Sequence, residues 1–246
     1  MRFREAKHSE LGLLALIGAR AFYRDDIYAH FYPQRSLYPE AFYDGILASL
    51  VNVFVQPGAK VFVAELENGD IMPQPGSLVN QKLIGYLTMV HHGTPEQKAQ
   101  FDADSPEKAL YRNLLELGKK KSPNKAIDQA AIDSFVAKQR LIVGPIIENQ
   151  NVVEAVSFAI LPEFQSMGYG LRFMRLIGAT AASFCAGIVA DASKAGFPIY
   201  MKFGFEHLGD VEVPAKTIQA DDSSIINLPS LKVPIIHLRL MTKASL

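Results

Sequence analysis

The sequence holds one cysteine, Cys185, and no tryptophan in 246 residues. No internal disulfide can form, and Cys185 falls in an apolar helical run, where it is read as a buried, inert thiol. Charge of one sign is lacking too. Lys and Arg total 25 and Asp and Glu total 25, so the formal net charge is zero. The basic excess that nucleic acid or an anionic membrane surface recruits is absent, and neither is expected as a partner. No stretch reaches the roughly 20 apolar residues of a membrane span. The opening MRFREAKHSE is charged and carries no apolar run of the signal-peptide kind. A soluble, cytoplasmic enzyme is the expectation, as a monomer or homodimer.

What is present suits a sizeable core: 49% of the residues are apolar, and the length fits one domain over 1–246. Met1–Ala6 reads as a first strand. Ser9 reads as the N-cap of a helix over about 10–24, followed by an aromatic-rich connection from Asp25 to Pro39 and a helix over about 39–55. KVFVAELE (60–67) and LIGYLTMV (83–90) read as strands joined by a long loop through IMPQPGS. From about 93 to 144 the pattern turns helical, predicting an insertion of two or three short helices broken near Lys119–Pro123. The lysine run there, Lys119–Lys121, reads as a solvated helix end. A strand over 151–161, a glycine turn, and a helix with Leu171, Phe173, Met174 and Ile177 come next. The chain then reads as a strand (187–192), a helix (193–203), a strand (205–213), a polar loop through Asp221-Asp222-Ser223-Ser224 and a last strand (232–241). The fold class is α+β: a mixed, largely antiparallel sheet of six to seven strands flanked by helices.

The glycine turn carries the chemistry. In Gln165-Ser166-Met167-Gly168-Tyr169-Gly170, successive backbone N–H groups meet a helix N-terminus, where unpaired donors and the dipole favour an anion. The glycines let a ligand approach without a Cβ in the way. The turn is neither the dinucleotide G-x-G-x-x-G nor a P-loop. About thirty residues on stands Ala192-Ser193-Lys194-Ala195-Gly196-Phe197-Pro198-Ile199-Tyr200-Met201-Lys202-Phe203-Gly204-Phe205. The two segments, in this order, resemble the paired signatures of the GNAT (Gcn5-related) N-acetyltransferases, and the order of elements outside 93–144 resembles that family as well.

The resemblance implies direct transfer of acetyl from acetyl-CoA to an amine, with no covalent enzyme intermediate and no metal. It implies that the amides of Ser166, Met167, Gly168, Tyr169, Gly170 and Leu171, with Gln165, hold the pyrophosphate. Backbone groups of Phe158, Ala159 and Ile160 would take the pantetheine arm, and Ser193 and Lys202 would touch the cofactor. Tyr200 would protonate, or hydrogen-bond, the departing thiolate as general acid. Relatives often carry basic residues where Ser166 and Met167 stand; Arg172 and Arg175 would partly replace them, and Lys202 or Lys194 would reach the 3′-phosphate. Glu154, eleven residues before Gln165, matches the offset of the strand glutamate that serves as base in the histone-acetylating branch. Strict alternation would put it on one face with Val156, Phe158 and Ile160. His91 and His92 are alternative bases.

The acceptor is left open. Phe22 to Tyr43 holds eight of the 24 aromatic residues, and Asp26, Tyr28 and Tyr32, with Asp25 and His30, suggest a cleft for a small or medium amine with an apolar or ring portion. A protein or peptide acceptor, or a non-catalytic acyl-CoA-binding module, are the competing readings.

Overall fold

The computed structural model describes residues 1–72, 82–117 and 124–239. Seven strands form one sheet in the spatial order β1 (Arg2–Glu5), β2 (Ala59–Glu65), β3 (Leu83–His92), β4 (Val152–Ile160), β5 (Gly187–Asp191), β9 (Leu231–Leu238) and β6 (Glu206–Val213). Each neighbouring pair is antiparallel except β4–β5, which is parallel. The largely antiparallel mixed sheet flanked by helices is the architecture expected from the sequence. The Pro/Gly-rich loop from Pro73, the helix break at Lys119–Pro123 with its lysine run, and Met241 lie outside the described residues.

Helix α1 (Leu11–Phe22) follows a 3-10 turn at His8–Glu10, so Ser9 sits inside that turn and does not cap the helix. The aromatic connection is not all loop. It contains α2 (Asp26–Phe31), started by Asp25, whose carboxylate accepts from the N–H groups of Ile27 and Tyr28. Helix α3 (Pro39–Phe54) opens on proline, which needs no N–H partner in a first turn. The insertion supplies α4 (Pro95–Phe101), α5 (Pro106–Leu117) and α6 (Gln129–Asn149). Helix α6 is long rather than short, and it runs past Gly144 and Pro145 to the edge of β4. Helix α7 (Tyr169–Ser183) follows the glycine turn, and α8 (Phe197–Lys202) begins four residues later than the sequence suggested. The polar loop is a hairpin, β7 (Lys216–Gln219) and β8 (Ile225–Leu228), with Asp221–Ser224 as its turn. Cys185 lies beyond the end of α7 at φ 50° and is exposed, so the expectation of a buried thiol is corrected.

The sheet's two faces carry different helices. Gly18 of α1 and Ile46 of α3 crowd against Tyr86 of β3. On the same face, Phe135 and Val143 of α6 cluster with Val211, Val233 and Ile235 of β6 and β9. The opposite face takes α7, whose Phe173 meets Phe158 of β4 and Phe3 of β1 at ring-centroid distances of 4.7 and 4.8 Å.

Gly85 lets β3 and β4 close on each other. A Cβ there would stand 2.5 Å from the carbonyl oxygen of Ala159 and 3.3 Å from the Cα of Ile160, both backbone atoms within a paired strand. Gly85→Ala is therefore expected to lower unfolding free energy by about 1–3 kcal/mol, the range for overpacking, read as a shifted denaturant midpoint at unchanged slope.

Candidate active site

Strand β4 is bound to β3 along its whole length but to β5 only from Val152 to Ala155, opposite Gly187 to Ala190. Beyond Ala155 the two parallel strands separate, leaving a wedge with β4 backbone on one wall. The register of β4 against β3 slips where Thr88 pairs with Ser157 and Met89 with Ala155, so Val156 is the extra residue of a β-bulge. That single residue corrects the face expected from strict alternation. Glu154 and Val156 stay on the α3 face, but Ser157 and Ala159 then join them, while Phe158 and Ile160 turn toward α7.

Backbone directions follow from the same register. The carbonyl of Ala159 points at Gly85, and that of Ser157 lies 3.4 Å from the Thr88 hydroxyl, so both face β3. By alternation the peptide groups of Phe158 and Ile160 face the wedge. Ala159 is thus removed from the set of cleft-facing backbone groups. The Ile160 carbonyl is already taken by the Gln165 side chain at 3.0 Å. Gln165 therefore uses its amide to brace the turn.

The turn itself is open. Ser166 (φ 61°) and Gly168 (φ 82°) adopt left-handed backbone, and Gly168 is the N-cap residue of α7 with no side chain capping the helix. A Cβ built on Gly168 or Gly170 meets nothing within 4 Å. First-turn N–H groups of Tyr169, Gly170 and Leu171 are thus presented outward, at the positive end of a 15-residue helix. The Tyr169 ring is buried, with its hydroxyl donating to the Ile71 carbonyl at 2.7 Å, so only its backbone serves the turn. Arg172 is engaged by Asp70 at 3.2 Å, whereas Arg175 is exposed. Met167 packs against the core, and Ser166 is exposed. The Ser193 hydroxyl accepts from the Gly196 N–H at 3.1 Å, a turn-forming role. Lys202 and Lys194 are exposed.

Tyr200 is only 7% exposed, packed edge-on to Phe205 at 5.1 Å. Burial, and then the charge of Asp191, push its phenol well above the usual tyrosine range. Glu154 is not free: its carboxylate lies 2.7 Å from His92 Nε2. His91 points to the other face, buried among Phe101 and Phe184, and desolvation lowers its pKa.

A cavity of about 150 Å³ opens between α2, α3, α6 and the β3–β4 face, lined by Tyr28, Tyr32, Ile46, Leu50, Ser157 and Ile132 among others. Tyr28 stacks on Phe22 at 4.2 Å and runs near-parallel to Tyr32 at 6.2 Å. Tyr86 and Thr88 add hydroxyls to the floor, with Tyr86 Oη 3.4 Å from Ser157 Oγ. Asp26, named with Tyr28 and Tyr32 from the sequence, is exposed at the start of α2 and lines no part of this cavity. Asp25 is spent on capping. The sequence reading missed Tyr86, Thr88, Ser157 and Ile132, which look like ordinary strand and helix residues. It also missed Asp191, a carboxylate closing the apolar run GIVAD, an ending that was there to be noticed.

No protein-family model and no curated protein matches this sequence. Solved structures do. Histone acetyltransferase HPA2 and related acetyltransferase from Corynebacterium glutamicum superposes with a TM-score of 0.54 at 12% identity, covering 98% of this chain and 96% of that one. A polyamine N-acetyltransferase of Drosophila melanogaster, which forms N-acetylagmatine, gives 0.54 at 12% identity over 97% and 99% of the two chains. A mosquito arylalkylamine N-acetyltransferase like 5b gives 0.50 at 14% identity over 98% and 99%. With the bulged and parted β4 and the glycine turn at its end, the chain has the fold of the GNAT N-acetyltransferases.

Proposed function

We propose that the protein is an acetyl-CoA-dependent N-acetyltransferase acting on a small amine that carries a ring or compact apolar portion. The small, aromatic-walled cavity supports this reading most. Its volume of about 150 Å³ is that of a cavity known to admit one benzene ring, and its walls are aromatic with a few hydroxyls. Ile132 of α6 lines it, and Phe135, one turn on, meets Phe31 at 5.4 Å. The insertion thus stands where an extended peptide would need an open groove, which favours a small acceptor over a protein. Among the similar structures, the polyamine N-acetyltransferase acts on a small amine, which supports this reading.

Acetyl-CoA supplies an activated acyl group as a thioester. The residues present suit it. The uncapped first turn of α7 holds the diphosphate, and the open space over Gly168 and Gly170 admits it. The Phe158 N–H, facing the wedge, is placed to polarise a carbonyl there. Tyr200 donates a hydrogen bond toward the leaving sulfur. Because its phenol is pushed far up, it holds its own proton and stabilises the thiolate by hydrogen bonding rather than by full transfer. Ser193, whose hydroxyl already accepts from the Gly196 N–H, and the exposed Lys202 would complete the cofactor contacts.

Thiol release from acetyl-CoA, measured over a panel of arylalkylamines, polyamines and lysine or N-terminal peptides, tests this. Turnover with small ring-bearing amines and none with peptides is expected. Tyr28→Ala should raise the amine KM about 10-fold or more, while Asp26→Ala should leave it within twofold. Turnover confined to peptides would defeat the reading. So would tight CoA binding with no turnover anywhere, which would mark a binding module.

A further inference from the structure

Four elements converge where β4 and β5 part, and the side chain at their meeting point is Asp191. The last paired residues are Ala155 and Ala190, so Asp191 is the first residue of β5 beyond the pairing, at the mouth of the wedge. Its direction is fixed by register. Glu154 pairs with Val189, and Glu154 faces the acceptor side, since it touches His92 and is paired with Val90. Two residues along β5, Asp191 faces that same side. Its neighbour across the other ladder, Ile235, lies in the cluster with Phe135 of α6, which agrees. The Gln139 amide of α6 stands 3.5 Å from the carboxylate.

We propose that Asp191 takes the proton from the acceptor ammonium, oriented by Gln139 of the insertion helix. This rests on the acetyltransferase reading above. In the step, an N–H bond of the ammonium breaks and an O–H bond forms on Asp191. The freed nitrogen lone pair forms the C–N bond to the thioester carbon, and the C–S bond breaks with its electron pair left on sulfur. The second amine proton passes to that sulfur beside Tyr200, and Asp191 releases its proton to solvent. Overall, ammonium and thioester give amide, thiol and one proton.

The surroundings suit a base working near neutrality. The ionisable groups around Asp191 are Glu154 on β4, Asp25 at the start of α2, Tyr28 on α2 and Tyr200 on α8. No cation appears among them. Desolvation first, then the charges of Glu154 and Asp25, push the Asp191 carboxyl up to about 6. Glu154 is the rival base, but it is held by His92.

The test compares pH–rate profiles of wild type, Asp191→Asn and Glu154→Gln with the best amine of the panel. For wild type, log kcat/KM should climb with unit slope to an apparent pKa near 6 and then level, since the base captures the ammonium form. In Asp191→Asn the break near pH 6 should vanish, and the rate should climb on with the free-amine fraction. The rate should be about 100-fold or more lower at pH 7, and should recover toward wild type as pH approaches the amine's own pKa near 10. CoA affinity should stay within twofold. Glu154→Gln should keep the limb and move it to lower pH, because a like charge has been removed.

A stability readout separates this from a structural role. A carboxyl raised in the fold stabilises below its unfolded pKa and loses that contribution as pH rises through about 6. Asp191→Asn should therefore melt no lower than wild type at pH 7.5, and higher if anything. Four outcomes overturn the proposal: an Asp191→Asn rate within threefold of wild type at pH 7, a retained break near pH 6, loss of that break in Glu154→Gln instead, or a lowered melting temperature. Should wild type turn over no amine at all, the acetyltransferase reading falls and takes this proposal with it. A silent Asp191→Asn substitution in an active enzyme defeats this proposal alone.

Discussion

Tyr200→Phe is expected to lower kcat by about 100- to 1,000-fold, the scale of a lost proton-donating or hydrogen-bonding group at the reacting atoms. The amine KM and the CoA affinity should change little. The substitution removes only an oxygen from a ring that is 7% exposed and packed on Phe205, so the ring keeps its place. The hydroxyl acts only when negative charge gathers on sulfur, so its loss should appear in kcat and not in ground-state binding. Because burial and Asp191 push the phenol well above its ordinary value, wild type should show no limb from Tyr200 below about pH 10. A limb below pH 9 that disappears in Tyr200→Phe would contradict this environment. An unchanged kcat would remove Tyr200 from the chemistry.

Gly170→Asp sets fold and cofactor against each other. The residue stands in the first turn of α7, and a Cβ there meets nothing within 4 Å. An aspartate at that position replaces a poor helix former and complements the helix dipole, so stability should hold or rise by a few tenths of a kcal/mol to about 1 kcal/mol. The same carboxylate stands where the diphosphate would sit. Like charge replaces the attraction of the bare amides, and CoA dissociation constants should rise about 100-fold or more by calorimetric titration. Gly170→Ala should weaken binding less, through bulk alone. If Gly170→Asp bound CoA as tightly as wild type, the anion would have to sit elsewhere.

The glycine turn at the start of α7 was legible because it is local. A turn of left-handed residues ending in a helix is encoded by contiguous residues, and Gln165 to Leu171 need no distant partner to present their amides. Sequence periodicity likewise located α3 and the main strands to within three residues, since each buries one regular face. It failed where one residue changes the pattern. The bulge at Val156 moves Ser157 and Ala159 onto the acceptor face and turns Phe158 and Ile160 away. Nothing in EAVSFAI marks which residue will be extra, because the slip exists only relative to β3. Asp26 stands outside the cavity for a related reason: once Asp25 caps α2, the next residue is exposed while Tyr28 and Tyr32 line the cavity.

By itself, then, the sequence determined the sheet-and-helix class, the glycine turn leading into a helix and the short helix that carries Tyr200, all properties of short segments with their own backbone preferences. The aromatic-walled cavity joins α2, α3, α6, β3 and β4, and Asp191 meets Gln139 across 52 positions of chain. Only tertiary structure decided these, because register and helix packing bring together side chains whose separation in sequence carries no signal.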